Sequence, residues 1–230
     1  MRKDQLRRRL LLTGLLIFAA LGLLWLQQTE STMTLRQRLL KLAYPVLMWG
    51  TRLGNKNTTV LSHAPQKPSV SFYDLPVMSI TGDSIDGTLL RGKKILLVNT
   101  ASDCGYTAQY KELQQLQDRF IDRLVVIGFP ANDFKEQEKG DDASIANFCE
   151  RNYGVRFLLT KKTSVVPGPL QHPVYRWLTD SGQNGWNRKA PSWNFSKYLI
   201  DEQGRLTHYF DPSVSPLSGD IITVLQKDAL

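Results

Sequence analysis

Two cysteines, Cys104 and Cys149, are the side chains of this sequence best suited to redox chemistry. Two sulfurs in 230 residues are too few for a disulfide framework, or for a zinc or iron–sulfur site of the usual ligand count. Three interpretations remain: a reactive thiol, a redox pair, or two buried thiols without a chemical role, since free cysteine is among the most buried residue types. The choice depends on the elements that position the two residues.

Cys104 follows an apolar run, Ile95–Ala101, that is typical of a strand buried on both faces. From Thr107 apolar residues recur at helical spacing, and a second apolar run, Leu124–Pro130, predicts another strand. This strand–helix–strand unit predicts a parallel pair with a right-handed crossover. Cys104 would lie between a strand and the first turn of a helix, where unpaired amides favour an anion. We therefore expect its pKa to lie below the free-cysteine value of about 8.5.

The remaining elements extend this α/β pattern. A helix is predicted over about residues 141–153, with acidic residues at its start and Cys149 on its inner face. Residues 196–210 predict a hairpin, and a closing helix is predicted from Ser218. The sequence therefore predicts one folded domain over residues 71–230.

The net charge of +8 is confined to the N-terminal part of the chain. Residues 1–60 contain ten Lys/Arg and two Asp/Glu, whereas residues 61–230 contain nineteen of each. Because the domain itself is neutral, we expect no nucleic-acid partner and favour an anionic membrane surface.

Seventeen uncharged residues, Leu10–Leu26, follow five basic residues in this N-terminal part. This pattern predicts residues 1–30 to be a cytoplasmic basic flank and a transmembrane anchor. The predicted localisation is a single-pass membrane protein with a cytoplasmic N-terminus. The domain would lie on the exported side, in a bacterial periplasm or, in a eukaryote, in the lumen of the endoplasmic reticulum.

Residues 31–70 are predicted to connect the anchor and the domain. Residues 33–53 predict an amphipathic helix whose apolar face includes Leu35, Leu39, Leu42 and Val46. We expect it to lie on the membrane, the alternative being a helix packed on the domain, and Pro45 to bend or end it. Residues 54–69 are polar and predict a linker.

Four segments resemble the glutathione peroxidase family in order and spacing. They are NTASDCGYT (Asn99–Thr107), FPANDFKEQEKG (Phe129–Gly140), NYGVRF (Asn152–Phe157) and WNFSKYLIDEQG (Trp193–Gly204). The resemblance covers residues 71 to about 227. It implies a thioredoxin-like fold with a central mixed sheet flanked by helices, and a peroxidase that uses an external thiol reductant and no bound cofactor or metal.

The resemblance also implies roles for individual residues. Cys104 would be the peroxide-reducing thiolate, and Trp193 and Asn194 would donate hydrogen bonds beside it. The family carries a Gln in an N-Q-F step where this chain has Asp133. An ionised carboxylate only accepts hydrogen bonds and raises the pKa of a nearby thiol. Asp133 is therefore expected to be protonated, to point away, or to slow the enzyme, and Asp103 adds a second unfavourable charge.

The resemblance makes Cys149 a candidate resolving thiol, since bacterial members often carry cysteine in a similar step; the alternative is a packed thiol. A two-cysteine cycle implies a thioredoxin-like reductant, and a one-cysteine cycle implies glutathione or another small thiol. The short stretch between residues 180 and 193 implies a monomer with an open site. The predicted function is reduction of hydrogen peroxide and organic or lipid hydroperoxides. Its alternatives are a peroxide-driven oxidant of partner thiols and a non-catalytic module disabled by Asp133.

Overall fold

A mixed six-stranded sheet forms the centre of the structure, a computed structural model that describes residues 32–54 and 59–227. The strands are β1 (Val60–Ser62), β2 (Lys94–Thr100), β3 (Leu124–Pro130), β4 (Leu158–Leu159), β5 (Lys197–Ile200) and β6 (Leu206–Phe210). Their order in the sheet is β1-β6-β5-β2-β3-β4. The pairs β2–β3 and β3–β4 are parallel, and the other three pairs are antiparallel. The predicted parallel unit and hairpin are confirmed.

Helices flank this sheet, as predicted. They are α1 (Leu35–Gly54), α2 (Gln109–Arg119), α3 (Asp142–Tyr153), α4 (Pro173–Thr179), α5 (Ser181–Asn184) and α6 (Gly219–Gln226). The Asp141 side chain caps α3 by accepting a hydrogen bond from Ser144 N, and Gly154 ends the helix with a φ of 65°. Helices α4 and α5 were not predicted from the sequence.

Strand β2 is buried along its whole length because it lies between β3 and β5 and is covered on both faces. Leu96 and Val98 pack in one apolar cluster, whereas Ile95 and Leu97 pack in another. This alternation follows from the two-residue period of a strand. Both cysteines belong to the first cluster, together with residues of α2 and α3. Both cysteines therefore lie on the same face of the sheet.

Helix α1 packs on the domain, the second of its two predicted locations. Tyr44 is buried and donates a hydrogen bond to Glu112 Oε1 at 2.9 Å, and Met48 is buried beside it. The predicted apolar face points the other way and is exposed: Leu35, Leu39, Leu42 and Val46. The helix continues through Pro45 rather than ending there. Tyr44 and Met48, rather than the predicted aliphatic face, therefore face the domain.

The predicted membrane localisation is contradicted. Among residues 32–54 and 59–227, no helix combines the length and apolar character needed to cross a bilayer. The predicted localisation as a single-pass membrane protein with an exported domain is corrected accordingly, and the predicted membrane partner has no support among these residues. The segment Leu10–Leu26, on which that prediction rested, lies outside the described residues.

The predicted linker contains the edge strand of the sheet. Val60–Ser62 pairs antiparallel with β6, and Asp211 Oδ2 accepts a hydrogen bond from Thr59 N at 2.9 Å. Three polar-flanked residues carry too little periodicity to predict a strand. The sheet therefore begins before residue 71, where the domain boundary had been predicted.

Candidate active site

Cys104 lies in a tight turn between β2 and α2. Its backbone N–H donates to Thr107 Oγ1 at 2.9 Å, and that hydroxyl donates to Ala101 O at 2.8 Å. These bonds close the turn, so α2 begins only at Gln109. The sulfur accepts a hydrogen bond from Tyr106 N at 3.5 Å. A turn amide, rather than the first turn of the helix, therefore faces the thiol.

The pKa of Cys104 is raised, contrary to our prediction. Burial is the largest cause, because only 1% of the residue is exposed, and the neighbouring Asp103 carboxylate raises the pKa further. Hydrogen bonds from Tyr106 N, the Trp193 indole and the Asn194 amide act in the opposite direction. The prediction was wrong because the effect of burial on the pKa exceeds that of the three hydrogen bonds.

Trp193 and Asn194 are brought to Cys104 by the end of β2. Asn99 fixes this segment with its side-chain Nδ2, which donates to Trp193 O at 3.0 Å, and with its backbone O, which accepts from Phe195 N at 2.6 Å. Phe195 adopts a positive φ of 67°, a strained conformation for an aromatic residue and one that functional sites retain. The two residues that precede Phe195, Trp193 and Asn194, direct their donor groups at the sulfur.

Gln137 is a member of this site that the sequence analysis missed. Its Oε1 accepts a hydrogen bond from Asn194 Nδ2 at 2.9 Å, and its backbone O accepts from Asp103 N at 3.0 Å. The side chain therefore contacts Asn194, while the backbone is bonded to the residue before Cys104. The signal in the sequence was a glutamine in the segment FPANDFKEQEKG, four positions after Asp133.

The loop before Gln137 explains its position. Lys135 and Glu136 both have positive φ, at 52° and 51°. Two consecutive left-handed residues reverse the chain, and Glu138 N donates to Asn132 Oδ1 at 2.9 Å across the reversal. The aromatic ring of Phe134 contacts that of Trp193, with centroids 5.4 Å apart. This loop forms one wall of the site.

Asp133 is directed away from this site towards a neighbouring loop. Its Oδ1 accepts from Ser164 Oγ at 2.9 Å, and its Oδ2 accepts from Val165 N at 2.8 Å. Both carboxylate oxygens are thus occupied by the segment that follows β4. Of the three expected behaviours of Asp133, this geometry corresponds to the carboxylate pointing away. It removes the reason for treating the domain as a disabled, non-catalytic module.

Cys149 is completely buried on the inner face of α3. It shares an apolar cluster with Cys104, and burial raises its pKa to about 12. The nearby Glu138 carboxylate contributes to this rise, while a hydrogen bond with Tyr110 lowers the pKa. Cys149 therefore lacks the set of donors that surrounds Cys104. In the part of the chain that the structure describes, no group of three or more His, Cys, Asp or Glu side chains is placed to hold a metal ion.

The geometry of this site agrees with the comparisons of the chain with known proteins. The family model for glutathione peroxidase matches residues 72–179. The glutathione peroxidase homolog BsaA of Bacillus subtilis is 38% identical over 161 residues, which cover 69% of this chain and 100% of that protein. The glutathione peroxidase-like peroxiredoxin 2 of Saccharomyces cerevisiae is 40% identical over 153 residues, covering 66% and 94%.

Solved structures support the same conclusion. The crystal structure of Trgpx in apo form superposes with a TM-score of 0.52 at 30% identity, covering 69% of this chain and 97% of that one. This likeness confirms the predicted thioredoxin-like α/β fold. With the sequence relatives, it shows that the chain is a peroxidase, an oxidoreductase that belongs to the glutathione peroxidase family.

Proposed function

We propose that the chain reduces hydrogen peroxide and organic hydroperoxides through a cycle in which Cys104 is oxidised and Cys149 resolves the product. One observation carries the first half of this proposal: Cys104 Sγ faces three hydrogen-bond donors, from Tyr106 N, Trp193 and Asn194. Such donors stabilise negative charge in a site that excludes water.

In the first step, the Cys104 thiolate attacks the distal oxygen of the peroxide. A sulfur–oxygen bond forms and the oxygen–oxygen bond breaks, which leaves a sulfenic acid and an alkoxide or hydroxide. That oxygen takes up a proton, so the released product is an alcohol or water, and the proton lost by the thiol balances this uptake. The Trp193 indole and the Asn194 amide are the donors that would stabilise the departing oxygen, with Gln137 holding the amide.

In the second step, the Cys149 thiol attacks the sulfenic sulfur, which forms a disulfide and releases water. Because Cys149 is buried on the inner face of α3, a local opening of that helix is the step proposed to bring the two sulfurs together. The disulfide is then reduced by an external dithiol of the thioredoxin class. Glutathione is the reductant expected if Cys149 takes no part.

The test is to treat the reduced chain with one equivalent of hydrogen peroxide and to analyse it by mass spectrometry. We expect a Cys104–Cys149 disulfide in the parent and a trapped sulfenic acid in Cys149→Ser. Cys104→Ser should consume no peroxide, because a hydroxyl supplies no thiolate. A Cys149→Ser variant that recycles with thioredoxin at the parent rate would remove the resolving role and leave a one-cysteine cycle.

A further inference from the structure

Helix α1 makes direct contact with the turn that holds Cys104. Arg36 Nη1 lies 2.5 Å from Asp103 Oδ2. One residue further along the helix, Gln37 Nε2 donates to Ser102 O at 3.2 Å. The helix therefore touches the two residues that precede the nucleophile. It also lies outside residues 72–179, the region that the family model matches.

These contacts bring a positive charge to the carboxylate that lies next to Cys104 in the sequence. Asp103 places a carboxylate directly before Cys104 and raises the pKa of that thiol. The other charged groups near this site do not offset it. Glu138 is itself an acid and accepts from Ser102 Oγ at 3.1 Å, and Lys135 lies over the Trp193 ring at 5.6 Å from its centroid. Among the described residues, Arg36 is the cation in ion-pair contact with Asp103.

We propose that Arg36 is a positioning residue for the peroxidase reaction: it holds the Asp103 carboxylate towards α1 and offsets part of its charge, which favours the thiolate at Cys104. This inference rests on the proposed function of Cys104 and assigns to the N-terminal helix a part in the chemistry. The contact between Gln37 and Ser102 keeps the helix in register with the turn.

The expected effect is modest because the pair is partly hydrated. Arg36 is 64% exposed and the Asp103 side chain 29% exposed, so solvent screens the interaction. An uncompensated charge beside a partly hydrated site changes a pKa by about half a unit to one unit. Below the thiol pKa, this corresponds to a peroxide rate about three- to tenfold lower. Above the thiol pKa, the parent and variant rates should converge.

The experiment compares Arg36→Gln with the parent in the full chain carrying Cys149→Ser, so that Cys104 is the only thiol. Two pH profiles are measured: the second-order rate with hydrogen peroxide, and alkylation by iodoacetamide. Arg36→Gln should move both profiles to higher pH, and Arg36→Lys should restore most of the shift. In Asp103→Asn, the further change Arg36→Gln should have no effect.

The matched control is Lys41→Gln, which removes a cation from the same helix. Lys41 Nζ donates to Asn152 O at 3.0 Å and makes no contact with Asp103. An equal shift in Lys41→Gln, or a shift from Arg36→Gln that persists in Asp103→Asn, would overturn the proposal, because the effect would then come from helix docking or overall charge. An unchanged alkylation profile in Arg36→Gln would also overturn it. Failure of the parent to react with peroxide would instead refute the proposed function, and the alkylation profile would still decide the role of Arg36.

Discussion

Replacing Asp133 with Ala should reduce the stability of the domain without changing the reactivity of Cys104. The carboxylate accepts hydrogen bonds from Ser164 Oγ and Val165 N, at 2.9 Å and 2.8 Å. Val165 is fully buried, so its backbone N–H cannot simply turn to water. A hydrogen bond to a charged group contributes about 1.5–3 kcal/mol, and an unsatisfied buried donor costs a similar amount. Because Asp133 itself is exposed, we expect the free energy of unfolding to fall by about 2 kcal/mol.

Urea unfolding followed by fluorescence measures this change, and Ser164→Ala is the matched control. That control removes one of the two bonds and leaves Val165 N paired, so its loss of stability should be about 1 kcal/mol or less. Stopped-flow measurement of the peroxide reaction then shows whether the folded Asp133→Ala protein reacts at the parent rate. A matching rate in both variants is the expected result.

A faster reaction of Asp133→Gln with peroxide, the result that the sequence alone suggested, would refute this reasoning. If the Asp133 carboxylate faced Cys104, then Asp133→Gln would remove a repulsive charge and supply an amide donor. The pKa of Cys104 would fall and the rate with peroxide would rise about tenfold. A faster Asp133→Gln variant of unchanged stability would show that the carboxylate acts on the thiol rather than on the loop after β4.

Three further predictions concern the site. Because the pKa of Cys104 is raised, the rate with peroxide should climb about tenfold per pH unit below that pKa, and a rate already constant at mildly acidic pH would contradict this. Gln137→Ala should lower the rate about tenfold or more, since it removes the contact that holds Asn194; steady-state assays with Gln137→Glu as the isosteric comparison test this. Burial raises the pKa of Glu138 from 4.5 to about 7, so the folded state binds the extra proton between these values and stability is lost as pH rises through 7. Glu138→Gln should therefore gain about 2 kcal/mol relative to the parent at about pH 8 and little at about pH 5, as measured by urea unfolding.

The central elements of the fold were predictable because burial on both faces leaves a clear pattern. Strand β3 has the predicted bounds, Leu124–Pro130, and β2 is displaced by one residue. Strand β1 was missed because it has three residues at a sheet edge, where one neighbouring strand decides the pairing. Helix α4 begins at Pro173, and its N-cap is His172, whose side chain accepts a hydrogen bond from Val174 N. A short helix of this kind has too few turns to show a period.

Site residues could be predicted where their motif lies next to a strand. They were harder to predict where the loop that carries them reverses direction. The segment Trp193–Gly204 was enough to predict Trp193 and Asn194 as site residues. Asn99, near the end of β2, holds this segment in place. Gln137 depends on Lys135 and Glu136 both adopting positive φ, which non-glycine residues rarely do. The resemblance had placed the family Gln at Asp133, in the N-Q-F step, whereas the amide that contacts Asn194 belongs to Gln137.

The two thiols differ in their surroundings, and this difference is the physical reason for giving them different roles. Cys104 has three donors around its sulfur, which offset part of the cost of forming a buried thiolate. Cys149 is held by burial at a pKa of about 12, so a thiolate does not form there at neutral pH while α3 is intact. Attack on peroxide is therefore favoured at Cys104, and the resolving role proposed for Cys149 requires α3 to open. The contact of Lys41 with Asn152 O, at 3.0 Å, joins α1 to the end of that same helix. One N-terminal helix thus contacts both cysteine-bearing segments.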